Sequence, residues 1–451
     1  GRTIELALTR LPATNPERRI GSLFVNPGGP GNSGVEFVRA TARDAYPADV
    51  LARFDIVGMD PRGVAASTPV RCFASESERK QFMNKYILIP VTRAEHAAAA
   101  RKAADLAQRC HARMGWLLPH LSTANVARDL DRLRQAVGDR KLSYVGYSYG
   151  TYLGATYANM FPSKVRSLAL DGNTDPPAYA GGPRRSVPFL RVNAHVAASE
   201  TLDQFFKLCA QAGPRCDFAA GGDPRSKFAV MAQRLRENPV AVPGIGRVGY
   251  AQLVDFTVNG LYRPVEWAGT AATLHQLYAM TDPATIADEA SPVTPTPVPT
   301  EPYNNVLESF FASVCSDTRN PADPAVYADL AVRADRRAPY VGAYWTYLAL
   351  PCSSWTARDV DRYTGGWRVR TAAPALVLNN RFDPATGYRN AIRMAGLLPG
   401  SRLVLNEGWG HTVRETRSPC ADAILARYLI DRALPPRGAT CQPGIVPFAA
   451  G

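Results

Sequence analysis

The sequence predicts an α/β protein in which a mostly parallel, doubly wound sheet is interrupted by a long helical insertion. Over the first 175 residues, short apolar segments alternate with segments of helical periodicity, as in parallel sheets that are buried on both faces. The alternation stops between about 176 and 365, where the chain is rich in Pro and aromatic residues. It resumes near residue 374, so two separated parts of the chain should build one sheet.

The N-terminal part contains five segments that we interpret as strands. Each is a short apolar or alternating run, and several end at Gly, Pro or Asp. They lie at 3–9, 22–26, 54–59, 142–146 and 165–170. The spacing of apolar residues also predicts a helix over 123–137, and a second helix should follow position 148.

The C-terminal part repeats the pattern on a smaller scale. We expect strands at 374–379 and 402–406, and helices at 387–397 and about 420–433. The predicted domains are therefore a first core part at 1–175, a helical cap insertion at 176–365 and a second core part at 366–451. Within the insertion, the Pro-rich stretch 291–300 favours an extended surface linker.

Composition excludes some classes of function. The chain has 451 residues, 46% of them hydrophobic, and a net charge of +13. The basic excess is mostly Arg spread along the chain, with no block that would indicate nucleic-acid binding. No apolar run reaches the length of a bilayer span, so we expect no membrane partner.

The eight cysteines indicate disulfides in an oxidising, extracellular compartment. None of them forms the C-x-x-C pair of a zinc or redox site. Eight cysteines allow 105 pairings. We favour the pairs between sequence neighbours because each closes a local loop: Cys72–Cys110, Cys209–Cys216, Cys315–Cys352 and Cys420–Cys441.

Ser148 lies in the sequence Gly146-Tyr-Ser-Tyr-Gly150, between a predicted strand and a predicted helix. A serine at such a sharp strand-to-helix turn is typical of the nucleophile of a serine hydrolase. A G-x-S-x-G match alone is weak, since Gly and Ser are common residues. The interpretation therefore depends on finding a base and an acid elsewhere in the chain.

His411 is the best candidate for the base. A serine hydroxyl becomes a strong nucleophile only when a base accepts its proton. His411 alone follows a late predicted strand, in a Gly-rich loop where catalytic side chains are common. The other five histidines precede the serine in helical or loop segments or lie in the insertion: His96, His111, His120, His195 and His275.

Two aspartates could hold that base. The acid is expected between serine and histidine in chain order. Asp383 follows the strand at 374–379, next to the strand that leads to the histidine loop, and we favour it. Asp171, at the end of the preceding strand, is the alternative.

Two backbone N–H groups are expected to bind the oxyanion of the transition state. One belongs to Tyr149, directly after the serine. The other should come from the loop Gly28-Gly29-Pro30-Gly31, at the end of an early strand. Because Pro30 has no N–H group, Gly29 is the expected donor.

Several motifs together resemble a known family, the secreted tripeptidyl aminopeptidases of actinobacteria, in the proline-iminopeptidase branch of the α/β-hydrolases. The resemblance spans nearly the whole chain. The segments that carry it are Asn26-Pro-Gly-Gly-Pro-Gly-Asn-Ser-Gly34, Asp60-Pro-Arg-Gly63, Gly146-Tyr-Ser-Tyr-Gly150, Leu170-Asp-Gly172, Arg381-Phe-Asp-Pro384 and Gly410-His411. It implies an α/β-hydrolase fold with an inserted helical cap, and a triad of Ser148, Asp383 and His411.

The resemblance implies a secreted, monomeric serine peptidase that releases short peptides, expected to be tripeptides, from free N-termini. No metal or organic cofactor is implied. Recognition of the substrate's ammonium group needs an anion, and the acidic residues singled out in the cap are Glu266 and Glu308. Two alternatives remain: an esterase or amide hydrolase with the same triad, and an inactive hydrolase fold that serves as a binding protein.

Overall fold

One large sheet forms the centre of the molecule in the computed structural model, which describes residues 2–183, 185–282 and 302–449. Its eight strands are β1 (Leu8–Leu11), β2 (Gly21–Asn26), β3 (Phe54–Met59), β4 (Leu142–Tyr147), β5 (Val165–Asp171), β8 (Leu376–Phe382), β9 (Arg402–Trp409) and β10 (Thr440–Cys441), with β6 (Val240–Val242) and β7 (Gly246–Val248) forming a separate antiparallel hairpin. The order in the sheet is β1-β3-β2-β4-β5-β8-β9-β10. Only β1 runs antiparallel to its neighbour, so the sheet is mostly parallel, as predicted.

Helices connect these strands and fill the insertion. Before β5 lie α1 (Gly34–Ala40), α2 (Ala42–Ala45), α3 (Ala48–Arg53), α4 (Glu76–Met83), α5 (Arg93–Met114), α6 (Thr123–Ala136) and α7 (Tyr149–Met160). Between β5 and β8 lie α8 (Pro176–Ala180), α9 (Pro188–Arg191), α10 (Ala194–Ala212), α11 (Pro224–Glu237), α12 (Tyr250–Gly260), α13 (Trp267–Met280), α14 (Val306–Asp317), α15 (Ala325–Arg337) and α16 (Gly342–Tyr347). The chain closes with α17 (Tyr388–Leu397) and α18 (Pro419–Asp431).

Both faces of the sheet are covered, as a parallel sheet of continuous apolar strands requires. Side chains alternate between the faces along each strand. Leu23 and Val25 of β2 pack on one face with residues of α1 and α18, whereas Phe24 packs on the other face with residues of α6 and α7. The predicted doubly wound arrangement is therefore confirmed.

The insertion packs around one hydrophobic core, which it shares with other parts of the chain. Its helices pack around large buried side chains, among them Phe205, Phe228 and Trp267. Helix α5, from the N-terminal part of the chain, also contributes Ala99 and Ala103 to this core. The insertion therefore packs against α5, a helix of the N-terminal part of the chain. The Pro-rich stretch 291–300 lies outside the described residues.

The first strand differs from its prediction. It covers Leu8–Leu11 rather than 3–9. The N–H groups of Glu5 and Ala7 donate to the side chains of Thr68 and Ser67, so this stretch is tied to the loop after β3. Alternation of apolar residues marks an extended chain, but it does not reveal whether the partner is a strand or a loop.

Four disulfides use all eight cysteines, and they join the sequence neighbours: Cys72–Cys110, Cys209–Cys216, Cys315–Cys352 and Cys420–Cys441. The last one links α18 to β10, the edge strand of the sheet. Among the described residues, no helix combines the length and the apolar character that a bilayer crossing requires.

Candidate active site

Ser148 lies between the last residue of β4 and the first residue of α7, at a strained backbone position with φ 55° and ψ −123°. A non-glycine residue adopts this conformation only when its surroundings impose it. The flanking glycines explain the motif. A Cβ on Gly146 would lie 2.3 Å from the carbonyl oxygen of Gly150, and one on Gly150 would lie 2.7 Å from the carbonyl oxygen of Asn26. The local sequence thus forms the nucleophile elbow that the motif predicts.

His411 follows β9, and its imidazole contacts a carboxylate. Nδ1 lies 2.9 Å from Oδ1 and 3.0 Å from Oδ2 of Asp383. The backbone N–H of His411 donates to the carbonyl oxygen of Tyr262 at 2.7 Å. The Tyr262 ring also packs edge-on against the imidazole, with centroids 4.9 Å apart. A segment of the insertion therefore contacts both the backbone and the ring of the histidine.

Asp383 follows β8 and is fully buried, so its charge depends on hydrogen bonds. Its carboxylate accepts from the backbone N–H groups of Ala385, Thr386 and Thr412 and from the Thr386 hydroxyl. Burial acts to raise the pKa of Asp383, but the attraction and hydrogen bond of His411 and the backbone donors outweigh it, and the pKa is lowered. The carboxylate is therefore ionised at neutral pH.

The contact between Asp383 and His411 raises the pKa of the histidine, just as it lowers that of the aspartate. Burial disfavours the imidazolium form, but the negative charge of Asp383, with a smaller contribution from Asp171, favours it more strongly. The pKa of His411 is therefore raised above its ordinary value. A base with a raised pKa accepts a proton readily and stays neutral only at sufficiently high pH.

Asp171, the competing acid, contacts the backbone of the loop that carries His411 rather than the imidazole. Its carboxylate accepts from the backbone N–H groups of Val413 (2.7 Å) and Arg414 (3.2 Å). Burial raises the pKa of Asp171 to about 7. Its carbonyl oxygen accepts the N–H of Ser148 at 2.9 Å. The structure thus places Asp383 on the imidazole and Asp171 on the backbone beside it.

Gly29 and Tyr149, the two expected oxyanion donors, line the same cavity as Ser148. The N–H of Tyr149 belongs to the first turn of α7, where backbone donors have no partner within the helix. The loop that carries Gly29 packs tightly on the elbow, since a Cβ on Gly28 would lie 2.5 Å from the carbonyl oxygen of Tyr147. The two donors are therefore close to the serine.

The cavity at Ser148 has a volume of about 210 Å³ and lies between the sheet and the insertion. Aromatic and aliphatic side chains of the insertion form most of its wall. No charged side chain occurs among its described lining residues, which comprise Gly29, Pro30, Asn32, Ser148, Tyr149, Thr174, Tyr179, Phe189, Val192, Tyr262, Val306, Leu307, Phe310, Tyr344, Trp345, Leu348, Ala385 and Thr386. The cavity thus combines the backbone around Ser148 with an apolar wall from the insertion.

Comparison with known proteins identifies the family. One family model, described as TAP-like protein, matches residues 338–441, and another, described as alpha/beta hydrolase fold, matches residues 21–190. A tripeptidyl aminopeptidase of Streptomyces coelicolor is 31% identical over 99% of this chain and 81% of its own length. The chain belongs to the TAP-like α/β-hydrolases.

Two further relatives carry different names. Serine protease Hip1 of Mycobacterium tuberculosis is 30% identical over 98% of this TAP-like hydrolase and 84% of its own length. A protein named carboxylesterase B, also from Mycobacterium tuberculosis, is 32% identical over 98% of this chain and 84% of its own length. The family therefore includes proteins that are named as peptidases and one that is named as an esterase.

The two acidic residues considered for the cap of this TAP-like hydrolase do not line the cavity. Glu266 is half exposed and pairs with Arg263 at the start of α13. Glu308 is fully buried on α14 and accepts from the Tyr303 hydroxyl at 2.7 Å. Helix periodicity did not reveal which face of each helix turns toward the serine. The cavity contacts of α14 come instead from Val306, Leu307 and Phe310.

Sequence reasoning missed several residues around the site. Thr386 donates to Asp383 and has its hydroxyl 3.3 Å from Nδ1 of His411, and it also lines the cavity. Asp383 closes an Asx turn through the backbone N–H of Ala385, which brings the residue after Ala385 close to the carboxylate, so a signal was present in the sequence. Phe189, Tyr344 and Trp345 carry no such signal, because aromatic residues are equally common in a cap core.

Proposed function

We propose that this protein is a serine peptidase that releases short peptides, of about three residues, from free N-termini through an acyl-enzyme. The observation that carries the proposal is the arrangement at the elbow. A serine in a strained turn shares a cavity with two backbone donors and with Thr386, whose hydroxyl lies 3.3 Å from Nδ1 of a histidine that contacts a buried carboxylate. The names of two relatives, a tripeptidyl aminopeptidase and a serine protease, support the peptide substrate.

Each residue has a defined role in the proposed reaction. The Ser148 hydroxyl attacks the scissile carbonyl carbon, and Nε2 of His411 accepts its proton. Asp383 holds the imidazole through Nδ1 and stabilises the imidazolium. The N–H groups of Gly29 and Tyr149 bind the oxyanion. His411 then protonates the leaving amine, and a water deprotonated by His411 releases the peptide as a free acid.

The cavity supports an acyl group with apolar side chains. Phe189 and Phe310 stack with centroids 6.0 Å apart, and Phe189 also contacts Trp345 at 5.6 Å. Such a wall favours apolar substrate side chains, since burial contributes about 25 cal/mol per Å². It does not itself supply a counter-ion for an ammonium group.

An esterase is the second candidate, and a specific observation favours it. The described cavity lining has no carboxylate to bind a free α-ammonium group, and one relative is named carboxylesterase B. An ester or blocked amide needs the same serine, base and oxyanion donors but no such anion. The two functions therefore differ in how they treat the substrate's N-terminus.

Hydrolysis of two matched substrates tests the choice. One is a tripeptide arylamide with a free N-terminus, and the other is the same compound with an acetylated N-terminus. We expect the free form to have the larger kcat/KM, by at least tenfold, and Ser148→Ala to abolish its turnover. Equal turnover of both forms would favour the esterase. A fluorophosphonate that labels the native protein but not Ser148→Ala excludes the inactive-fold alternative.

We further propose that residues 176–365 act as a cap domain between the core parts 1–175 and 366–451. The aromatic wall that the insertion contributes to the cavity supports this role. We also propose that the protein is secreted and monomeric. Its four disulfides support an oxidising compartment, where such bonds persist.

A further inference from the structure

The side chain of Tyr149, whose N–H group is an expected oxyanion donor, is held at its tip by a chain of hydrogen bonds. Its phenolic O–H contacts the hydroxyl of Thr123, the first residue of α6. The Thr123 hydroxyl donates in turn to Oδ2 of Asp317 at 2.6 Å, and the Thr123 N–H donates to Oδ1 at 2.8 Å. Because a threonine hydroxyl has a single proton, which here goes to the carboxylate, Tyr149 donates to Thr123. We call this chain of three residues the Tyr149 tether.

The tether is shielded from water along its whole length. Tyr149 is 6% exposed, Thr123 0% and Asp317 1%. Hydrogen bonds to a carboxylate are stronger than those between neutral groups, and the removal of one buried partner leaves the other unsatisfied. The tether therefore fixes the Tyr149 hydroxyl at one place in the fold.

The tether also joins the elbow to a helix that lines the cavity. Tyr149 is the first residue of α7, and Asp317 is the last residue of α14. The N-terminal half of α14 contributes Val306, Leu307 and Phe310 to the cavity wall. One end of α14 thus contacts the cavity, and its other end holds the residue that follows the nucleophile.

The backbone between Ser148 and Tyr149 needs such a constraint. Ser148 has φ 55° and ψ −123°, a strained conformation that persists only where the surrounding structure imposes it. The N–H that should bind the oxyanion belongs to the peptide group between these two residues. A tyrosine ring is joined to its Cα through only two side-chain torsions, so a fixed hydroxyl restricts the position of Cα. The direction of this N–H therefore depends on the tether.

We propose that Asp317, acting through Thr123, is a positioning residue that holds the N–H of Tyr149 toward the oxyanion. This role rests on the acyl-enzyme chemistry proposed above, but not on whether the substrate is a peptide or an ester. The oxyanion exists only in the transition state and the tetrahedral intermediate, so the tether should affect the reaction step more than substrate binding. Its loss should lower kcat and leave KM nearly unchanged.

Kinetics of variants that break the tether test this role. Thr123→Val removes the hydroxyl and keeps the shape of the side chain, and Tyr149→Phe removes the donor and keeps the ring. We expect each to lower kcat by roughly tenfold or more, short of the 10²–10³ that the complete loss of an oxyanion donor costs. Thr123→Ser restores the hydroxyl and should recover most of the native kcat. Assays at pH 8.5 keep Asp317 ionised, since burial raises its pKa to about 7.

Tyr157→Phe is the matched control. Tyr157 also lies on α7, and its buried hydroxyl donates to Oδ1 of Asp131, on α6, at 2.8 Å. It lies roughly 12 Å along the helix from Tyr149 and does not line the cavity. Its loss should lower the melting temperature about as much as Tyr149→Phe does, but should leave kcat unchanged.

The double variant separates a shared chain from two unrelated defects. Thr123→Val and Tyr149→Phe break the same tether, so together they should lose no more kcat than either alone. Two independent structural defects would instead multiply their losses. Multiplied losses, or losses that appear in KM rather than in kcat, would overturn the positioning role.

The rate at which a fluorophosphonate labels Ser148 is a second readout, which does not depend on the choice of substrate. The phosphoryl oxygen of the adduct occupies the oxyanion site, so labelling of Thr123→Val and Tyr149→Phe should slow at least several-fold. Tyr157→Phe should label like the native protein. An unlabelled native protein would overturn the proposed acyl-enzyme chemistry and the positioning role with it. A labelled native protein whose tether variants react as fast as Tyr157→Phe would overturn the positioning role alone.

Discussion

Asp171 accepts a 2.7 Å hydrogen bond from the backbone N–H of Val413, which lies 242 residues later in the chain. The carbonyl oxygen of the same Asp171 accepts the N–H of Ser148. One residue at the end of β5 thus contacts both the elbow and the loop that carries His411. Asp383 contacts the imidazole itself. Asp383 therefore contacts the imidazole of His411, whereas Asp171 holds the backbone of the elbow and of the loop that carries His411.

Replacement of Asp171 by Asn should cause a moderate loss and a shift in pH dependence. The substitution keeps one acceptor for the two backbone donors but removes a carboxylate that, where it is ionised, helps to raise the pKa of His411. We expect kcat/KM to fall by about tenfold, from misplacement of the loop, and its pH profile to move to lower pH. The profile of Asp171→Asn, compared with the native protein, provides the measurement. An unmoved profile would mean that this charge does not reach the base.

Replacement of Asp383 by Asn should be far more damaging. The amide can still accept from the loop, but it no longer stabilises the imidazolium or fixes its tautomer. We expect kcat to fall by about 10⁴-fold with little change in KM, as for the acid of other triads. Steady-state kinetics of Asp171→Asn and Asp383→Asn measure the two losses, and circular dichroism checks that both variants are folded. An Asp171→Asn loss as large as that of Asp383→Asn would reopen the choice of acid.

The pH dependence of kcat/KM follows from the raised pKa of His411. Only the neutral imidazole can accept the proton of Ser148, so activity should be low in acid and rise with pH. Because the pKa is raised, the midpoint should lie above the ordinary value of about 6.5. A pH series with the free tripeptide arylamide measures it. A midpoint below 6.5 would contradict the pairing with Asp383.

Local sequence rules were sufficient for the central strands of the sheet and for the elbow, but not for the edge strands β1 and β10. The apolar strands β2 to β5 are short, continuous and bounded by turn residues, and this length and these boundaries identify them as strands. The structure also brings His411 into contact with Asp383, whose loop follows the strand before the histidine loop, as we expected. With only six histidines, and one of them after a late strand, few alternatives existed.

The cavity wall was beyond such rules. Its residues come from α9, α14 and α16, which are far apart in sequence and meet only in the folded cap. Glu308 illustrates the difficulty: it lies on α14 beside cavity residues, yet it is buried against Tyr303. Which face of a cap helix turns inward depends on packing partners that one sequence does not reveal.

A disulfide that closes a longer loop should stabilise the fold more. Cys72–Cys110 spans 38 residues and Cys209–Cys216 spans 7. In the chain-entropy model these loops are worth about 4 and about 2.5 kcal/mol. Urea unfolding of the two double Cys→Ser variants should therefore show the larger loss for the first pair. The reverse order would mean that native contacts, rather than loop length, dominate.

The strained backbone of Ser148 predicts an unusual effect of glycine. At φ 55° and ψ −123°, any residue with a Cβ is strained, which costs of order 1–3 kcal/mol. Glycine relieves this strain but loses about 0.5–1 kcal/mol of chain entropy on folding. We expect Ser148→Gly to be more stable than Ser148→Ala by about 1 kcal/mol in urea unfolding, while both are inactive. Ala158→Gly, in the interior of α7, is the control and should be destabilised. If Ser148→Gly were less stable than Ser148→Ala, the backbone at the elbow would store no strain.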